Sequence, residues 1–231
     1  MKRIFGCLLS AVTLVGACFF NCNVKAEESA PVAEQKTEEK EAKKDTELVL
    51  IVDKSGSMWH LVNDTIGSFN SVLDEQKKDT EHGNAYVTTV FFNGEHETIH
   101  DREDIQSVEH ITNKDYVPGG CTALLDAVGD TITKLSEKDE IKDHKVIVAI
   151  ITDGYENSSK EYSKEQIKKL IKEKEKEGWQ FVFCGANIDA VAEGGHIGIC
   201  KDCSINFVAN GNGLRDVCAQ ISERMTVCRA A

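Results

Sequence analysis

The sequence predicts a doubly wound α/β domain: a mostly parallel sheet with helices on both faces and one antiparallel edge strand. Three observations carry that expectation. Short, continuous apolar runs, LVLIVD at 48–53, KVIVAIITD at 145–153 and WQFVFCGAN at 179–187, read as strands covered on both faces. Segments with helical spacing alternate with them. Asn93-Gly94 separates AYVTTVFFN (85–93) from EHETIH (95–100), which makes those two runs a hairpin and supplies the antiparallel edge.

Taken in order, the chain opens with MKR and the apolar run IFGCLLSAVTLVGACFF, too short and wrongly flanked for a membrane span, so residues 1–26 read as an export signal. Two processing sites compete. VKA before Glu27 suits cleavage after Ala26, whereas VGAC resembles a bacterial lipobox and would make Cys18 a lipidated first residue. Either outcome places the protein outside the cytoplasm, secreted or held at the envelope by a lipid anchor; an uncleaved anchor is the third alternative. Residues 27–47, with eight acids, four lysines and no aromatic, cannot bury enough surface to fold alone and read as a disordered, charged linker. The folded domain is expected over 48–231.

Within it, residues 59–78 carry Val62, Ile66, Phe69 and Leu73 at helical spacing. Residues 101–118 read as irregular, with at most one short helix. TALLDAVGDTITKL (122–135) puts Leu125, Val128, Ile132 and Leu135 on one helical face. Ser163 to Gln166 has capping-box spacing and opens a helix through Ile167, Leu170 and Ile171 that stops at Gly178. SINFVA (204–209) reads as a short strand. A last helix carries Leu214, Cys218, Ile221, Met225 and Cys228 on one side.

A formal charge of −12 on 231 residues argues against a nucleic-acid partner, because phosphates need a basic footprint. It leaves room for a cation. The ends of the predicted strands then share one chemistry. The first ends in Asp53-Lys54-Ser55-Gly56-Ser57, the central one in Thr152-Asp153-Gly154, and the PGGCT loop delivers Thr122 to a helix start. In open α/β sheets, ligands sit at the carboxyl ends of strands where the strand order reverses. Asp53, Ser55, Ser57, Thr122 and Asp153 are all hard oxygen donors, the kind that Mg²⁺ collects in an array of about six at roughly 2.1 Å. Two carboxylates balance one dication and leave it electrophilic toward a further acidic ligand. A phosphate-binding loop would instead need bare backbone N–H groups and glycines, and neither GxGxxG nor GxxxxGK[ST] follows any strand. The competing structural reading is that these Ser and Asp residues merely cap helices.

D-x-S-x-S, a later threonine at a helix start and T-D-G after a second apolar strand together resemble the von Willebrand factor A (vWA) domain family, over about residues 46–228, and most of all its small, stand-alone bacterial members. The resemblance implies that Asp53, Ser55, Ser57, Thr122 and Asp153 form the family's metal-ion-dependent adhesion site (MIDAS). It also implies a non-enzymatic binding module: Mg²⁺, or else Mn²⁺ or Ca²⁺, grips a protein ligand whose acidic group completes the metal shell. Trp59 and His60 are candidates for the rim of such a site. Two alternatives remain open, a metal-assisted hydrolase and a regulatory or assembly subunit of a larger complex. Against the hydrolase, Ser55 stands where a DxD phosphatase pattern has a second aspartate.

Nine cysteines are present, six of them after residue 26. Export favours disulfides, and Cys200 and Cys203, a CxxC pair, are expected to bridge locally. Free thiols come second and a zinc site using His196 third, since structural zinc wants four ligands and three cluster here. Cys184, Cys218 and Cys228 fall on predicted buried faces and read as packing residues.

Overall fold

The computed structural model describes residues 43–231; the export signal, Cys18 and the linker up to residue 42 lie outside the described residues. Strand β1 (Thr46–Asp53) begins two residues earlier than the apolar pattern suggests. Thr46 and Glu47 are both buried, so the linker boundary moves back to residue 45. A 3-10 turn (Gly56–Leu61) leads into α1 (Val62–Lys78). β2 (Ala85–Phe92) and β3 (His96–Asp104) form the expected antiparallel pair. β3 runs four residues past the predicted strand, through the charged stretch Asp101-Arg102-Glu103-Asp104, which carries no apolar alternation to reveal it. Charges on an edge strand are a common guard against unwanted strand pairing.

α2 (Leu124–Ser136), β4 (Lys145–Thr152), α3 (Lys164–Lys176) and β5 (Gln180–Ala186) follow as expected. Both reciprocal bonds of the Ser163–Gln166 capping box are formed, and Gly178, at φ 94°, takes up the left-handed turn beyond α3. The short α4 (Ala190–His196) was not predicted. Its AVAEGGH sequence has two adjacent glycines, poor helix formers, and what starts it is Asp189, whose carboxylate accepts from the Val191 and Ala192 amides. β6 (Ser204–Phe207) and α5 (Gly211–Ala230) complete the domain.

Strand order is β3-β2-β1-β4-β5-β6, with only β2–β3 antiparallel. The period-2 alternation of β1 divides its side chains between two cores. Leu48, Leu50 and Val52 pack under α1 and α5, while Val49 and Ile51 pack under α2, α3 and α4. Burial on both faces is why the central strands lack polar alternation. No helix among the described residues is long and apolar enough to cross a membrane.

Candidate metal centre

The chain leaves β1 toward β2 on one side, while β4 pairs with β1 on the other, so the order of the sheet reverses between β1 and β4. The carboxyl ends of these two strands therefore flank the crevice where open sheets bind ligands. Asp53 is the last residue of β1, and Asp153 follows β4 directly.

Three loops close over this point. The Ser55 amide donates to Asp53 Oδ1 at 2.6 Å, and the Ser55 and Ser57 Oγ atoms are 3.1 Å apart. The Ser57 hydroxyl donates to Asp153 Oδ1. Thr152 Oγ1 donates to Asp53 Oδ2 at 2.6 Å, which ties the two strand ends together. Thr122 arrives from the third loop. A methyl group placed on Gly154 would lie 3.6 Å from Ser57 Oγ and 3.8 Å from Thr122 Oγ1, so two hydroxyls from separate loops face the same small space. Asp53, Ser55, Thr122 and Asp153 are buried, and Ser57 lies at the exposed lip.

The supports of this cradle were not legible in the sequence. The Tyr116 hydroxyl donates to the Asp53 carbonyl at 2.5 Å. The glycine loop is stitched to the β1 loop by Gly119 N–H to the Lys54 carbonyl (2.8 Å) and Gly56 N–H to the Gly120 carbonyl (3.1 Å). Gly120 has φ 78°, a conformation that suits glycine. Asn157 clasps Thr122 at both ends: the Thr122 amide donates to Asn157 Oδ1 (2.9 Å) and the Asn157 amide donates to the Thr122 carbonyl (3.0 Å). Only the generic turn composition of YENSS hinted at such a role.

The helix-cap reading can be weighed directly. Ser55 stands at the cap position of the 3-10 turn but its side chain makes no capping bond, and α2 starts after Ala123 with none either. The first amides of α2 are satisfied from elsewhere, by Glu156 Oε2 and Ser159 Oγ on the Leu125 amide. The hydroxyls of Ser55 and Thr122 are thus not used for capping.

Electrostatics point the same way. Burial pushes the Asp53 carboxyl above the ordinary carboxylate range; the Thr152 hydroxyl and the Ser55 amide and hydroxyl pull it down, and the nearby Asp153 charge adds to the rise. Asp153 Oδ2 is buried and has no hydrogen-bond partner. A buried, unpartnered carboxylate oxygen is costly unless a cation or donor meets it. Among the described residues no group of three or more His, Cys, Asp and Glu side chains is arranged to hold a metal. A cation here would rest on two carboxylates and three hydroxyls, a donor set for a hard, oxygen-loving dication.

The other predicted residues stand apart from the cradle. Trp59 and His60 are exposed on the 3-10 turn, and His60 Nδ1–H donates to the Ser57 carbonyl at 2.8 Å. Cys200 and Cys203 are joined in a disulfide, with Cα atoms 5.2 Å apart. Cys184, Cys218 and Cys228 are buried thiols; burial pushes Cys218 up to about 12. Cys121, beside Thr122, is an exposed free thiol.

Comparison with solved structures agrees with this architecture. Over 77% of the chain, the SpRpn10 VWA domain superposes with a TM-score of 0.54 at 10% identity, and 95% of that domain is covered. The fold is vWA-like. Proximal thread matrix protein 1 from the mussel byssus, solved with a zinc-occupied MIDAS motif, matches 80% of the chain with a TM-score of 0.59 at 15% identity. SpaC, a pilus adhesin from Lactobacillus rhamnosus GG, matches 80% with a TM-score of 0.63 at 11% identity. The chain spans about half the length of the byssus protein (46%) and under a third of the adhesin (30%). No protein-family model and no curated protein matches the sequence. At these identities the vWA likeness is one of fold.

Proposed function

We propose that this vWA-like domain is a non-enzymatic, extracytoplasmic binding module that takes up a divalent cation, Mg²⁺ in the first instance, on Asp53, Ser55, Ser57, Thr122 and Asp153, and grips a protein ligand through it. The observation that carries the proposal is Asp153 Oδ2, buried without a partner at the switch point, beside a second buried carboxylate and three hydroxyls that cap nothing. A dication supplies the missing counter-charge and an electrophilic position for a carboxylate of the partner. A zinc-occupied MIDAS in the byssus protein and a pilus adhesin among the fold neighbours support the reading.

Calorimetry with MgCl₂ and MnCl₂ tests it. The protein takes up one cation with micromolar to millimolar affinity, and Asp53→Ala and Asp153→Ala abolish uptake while the fold persists. No uptake of either ion overturns the proposal. Affinity capture from envelope extracts in Mg²⁺ against EDTA then isolates the partner, which Asp153→Ala protein fails to retain.

A further inference from the structure

Three Asn-Gly pairs lie among the described residues: Asn93-Gly94, Asn210-Gly211 and Asn212-Gly213. Such a pair can modify itself, because a glycine nitrogen with no side chain beside it is able to reach the asparagine side-chain carbon and close a five-membered ring. The surroundings of the three pairs differ. A methyl group placed on Gly211 would lie 2.3 Å from Asp64 Oδ1, and one on Gly213 would lie 2.2 Å from the Val208 carbonyl oxygen, whereas one on Gly94 meets nothing within 4 Å. Gly211 and Gly213 also belong to the first turn of α5, where the Gly213 amide donates to Asn210 Oδ1 at 2.9 Å. Gly94 is exposed at the hairpin tip, and its amide donates to no backbone group among the described residues.

At Asn93 the side chain is already folded back. The Glu95 amide donates to Asn93 Oδ1 at 3.1 Å. This is an Asx turn, and its hydrogen-bonded ring contains every atom of the ring to be closed: Asn93 Cγ, Cβ, Cα and C, and Gly94 N. The missing side chain of Gly120 leaves the reacting groups open on one side. A methyl group there would lie 3.8 Å from Asn93 Cγ, 3.7 Å from Asn93 Nδ2 and 3.9 Å from Gly94 N, so the carbon, its leaving group and the attacking nitrogen all front the same point.

We propose that Asn93 converts itself, with water as the only co-reactant, to a succinimide and then to aspartate or isoaspartate, and that the isoaspartate form loosens the loop that carries Thr122. Gly94 N gives its proton to solvent and bonds to Asn93 Cγ, and the charge that forms on Oδ1 is met by the Glu95 N–H. The Cγ–Nδ2 bond then breaks, and the nitrogen takes up a proton from solvent and leaves as ammonia. Water opens the ring on either side. Cleavage between Gly94 N and Cγ gives aspartate. Cleavage between Gly94 N and the Asn93 carbonyl carbon routes the main chain through Cβ and Cγ and leaves the former carbonyl as a carboxylate. One water enters and one ammonia leaves, with no oxidation.

Asn93 braces the cradle, which gives the change a consequence. Its carbonyl accepts from the Ala123 amide at 2.6 Å, beside Thr122, and its own amide donates to the Glu95 carbonyl at 2.8 Å. Its side chain packs on Gly120. Isoaspartate lengthens the turn by one methylene and removes the Asx bond, so the hairpin tip no longer holds the glycine loop in place. The self-conversion is independent of the metal reading above; its effect on the cradle rests on that reading.

Folded protein incubated at neutral pH and body temperature is mapped by peptide mass spectrometry, with isoaspartyl methyltransferase labelling to tell the two products apart. The peptide containing Asn93 gains the mass of an NH₂-to-OH exchange and takes label severalfold faster than the peptide containing Asn210 and Asn212. Gly94→Ala has free space for its methyl group and no left-handed φ to satisfy, so it folds normally and slows the change severalfold. Conversion at Asn93 no faster than at Asn210 and Asn212, or undiminished in Gly94→Ala, overturns the proposal. Calorimetry reads the consequence. The isoaspartate form, isolated by chromatography, binds Mg²⁺ about threefold more weakly than fresh protein. Asn93→Asp, which has the charge but not the extra methylene, stays within about twofold of the parent. Equal affinity of the isoaspartate form and fresh protein, or an equal loss in Asn93→Asp, overturns the loosening. Failure of fresh protein to take up magnesium overturns the metal reading instead, and the mass change at Asn93 still decides the self-conversion.

Discussion

Strand β1 carries a buried carboxylate at each end, and the two are treated in opposite ways. At the amino end, Glu47 is met by Arg102, whose Nε lies 3.1 and 3.2 Å from the two carboxylate oxygens and whose Nη2 lies 2.9 Å away, and by His144 Nδ1 at 2.8 Å. The Tyr86 ring stacks with His144, and the Arg102 guanidinium lies over it, 5.3 Å from the ring centroid. At the carboxyl end, Asp53 receives only neutral donors, and its nearest charged neighbour is another carboxylate, Asp153. One pole carries its own counter-charge. The other lacks one, although it is just as buried. A protein that needed only stability would gain nothing from the second arrangement, whose like charges and orphaned oxygen cost free energy. The contrast therefore separates a structural ion cluster from a pair of buried carboxylates with no counter-charge of their own, the arrangement that the proposed cation site calls for.

Breaking the closed pole has the largest expected effect. Arg102→Ala leaves Glu47 buried without its guanidinium and lowers stability by about 3–5 kcal/mol, read from urea denaturation. Magnesium uptake by the folded fraction stays the same. A loss below about 1 kcal/mol would mean that Glu47 does not depend on its partner and would dissolve the contrast. The open pole responds to the ion instead: Mg²⁺ at a hundred times its Kd raises stability by about 2.7 kcal/mol, and EDTA removes the gain. Asp53→Asn protein shows no such gain, and in EDTA its stability stays within about 1 kcal/mol of the parent, because a like charge beside Asp153 has gone.

Smaller changes sharpen the picture. Tyr116→Phe removes the bond to the Asp53 carbonyl and costs about 1 kcal/mol in thermal or urea unfolding. Asn157→Ala removes the side-chain half of the Thr122 clasp, the bond from the Thr122 amide, and keeps the backbone bond to the Thr122 carbonyl. Since Asn157 is exposed, stability falls by less than about 1 kcal/mol while magnesium affinity weakens about threefold. Unaltered affinity in that variant would show that the glycine loop and the remaining backbone bond suffice to hold Thr122 in place.

Much of the fold was open to view in the residue order. Continuous apolar runs at 48–53 and 145–153 reported strands covered on both faces, and the Ser163–Gln166 spacing reported a helix start that forms as expected. Helix α4 escaped because its two glycines oppose helix formation, and only its Asp189 cap and tertiary packing sustain it. The charged end of β3 escaped because an edge strand exposed to solvent carries no apolar period.

By itself, then, the amino-acid order determined the alternation of strands and helices and the kind of atoms at the strand ends, since both are local properties of spacing and side-chain type. Only the tertiary structure decided that Asp53, Ser57, Thr122 and Asp153 share one small space, that Glu47 is met by hydrogen-bond partners 55 and 97 positions away, and that Asp153 Oδ2 is left without a partner. The physical reason is that counter-charge and coordination depend on distances across chain segments far apart in sequence, and those distances exist only once β1 and β4 lie side by side.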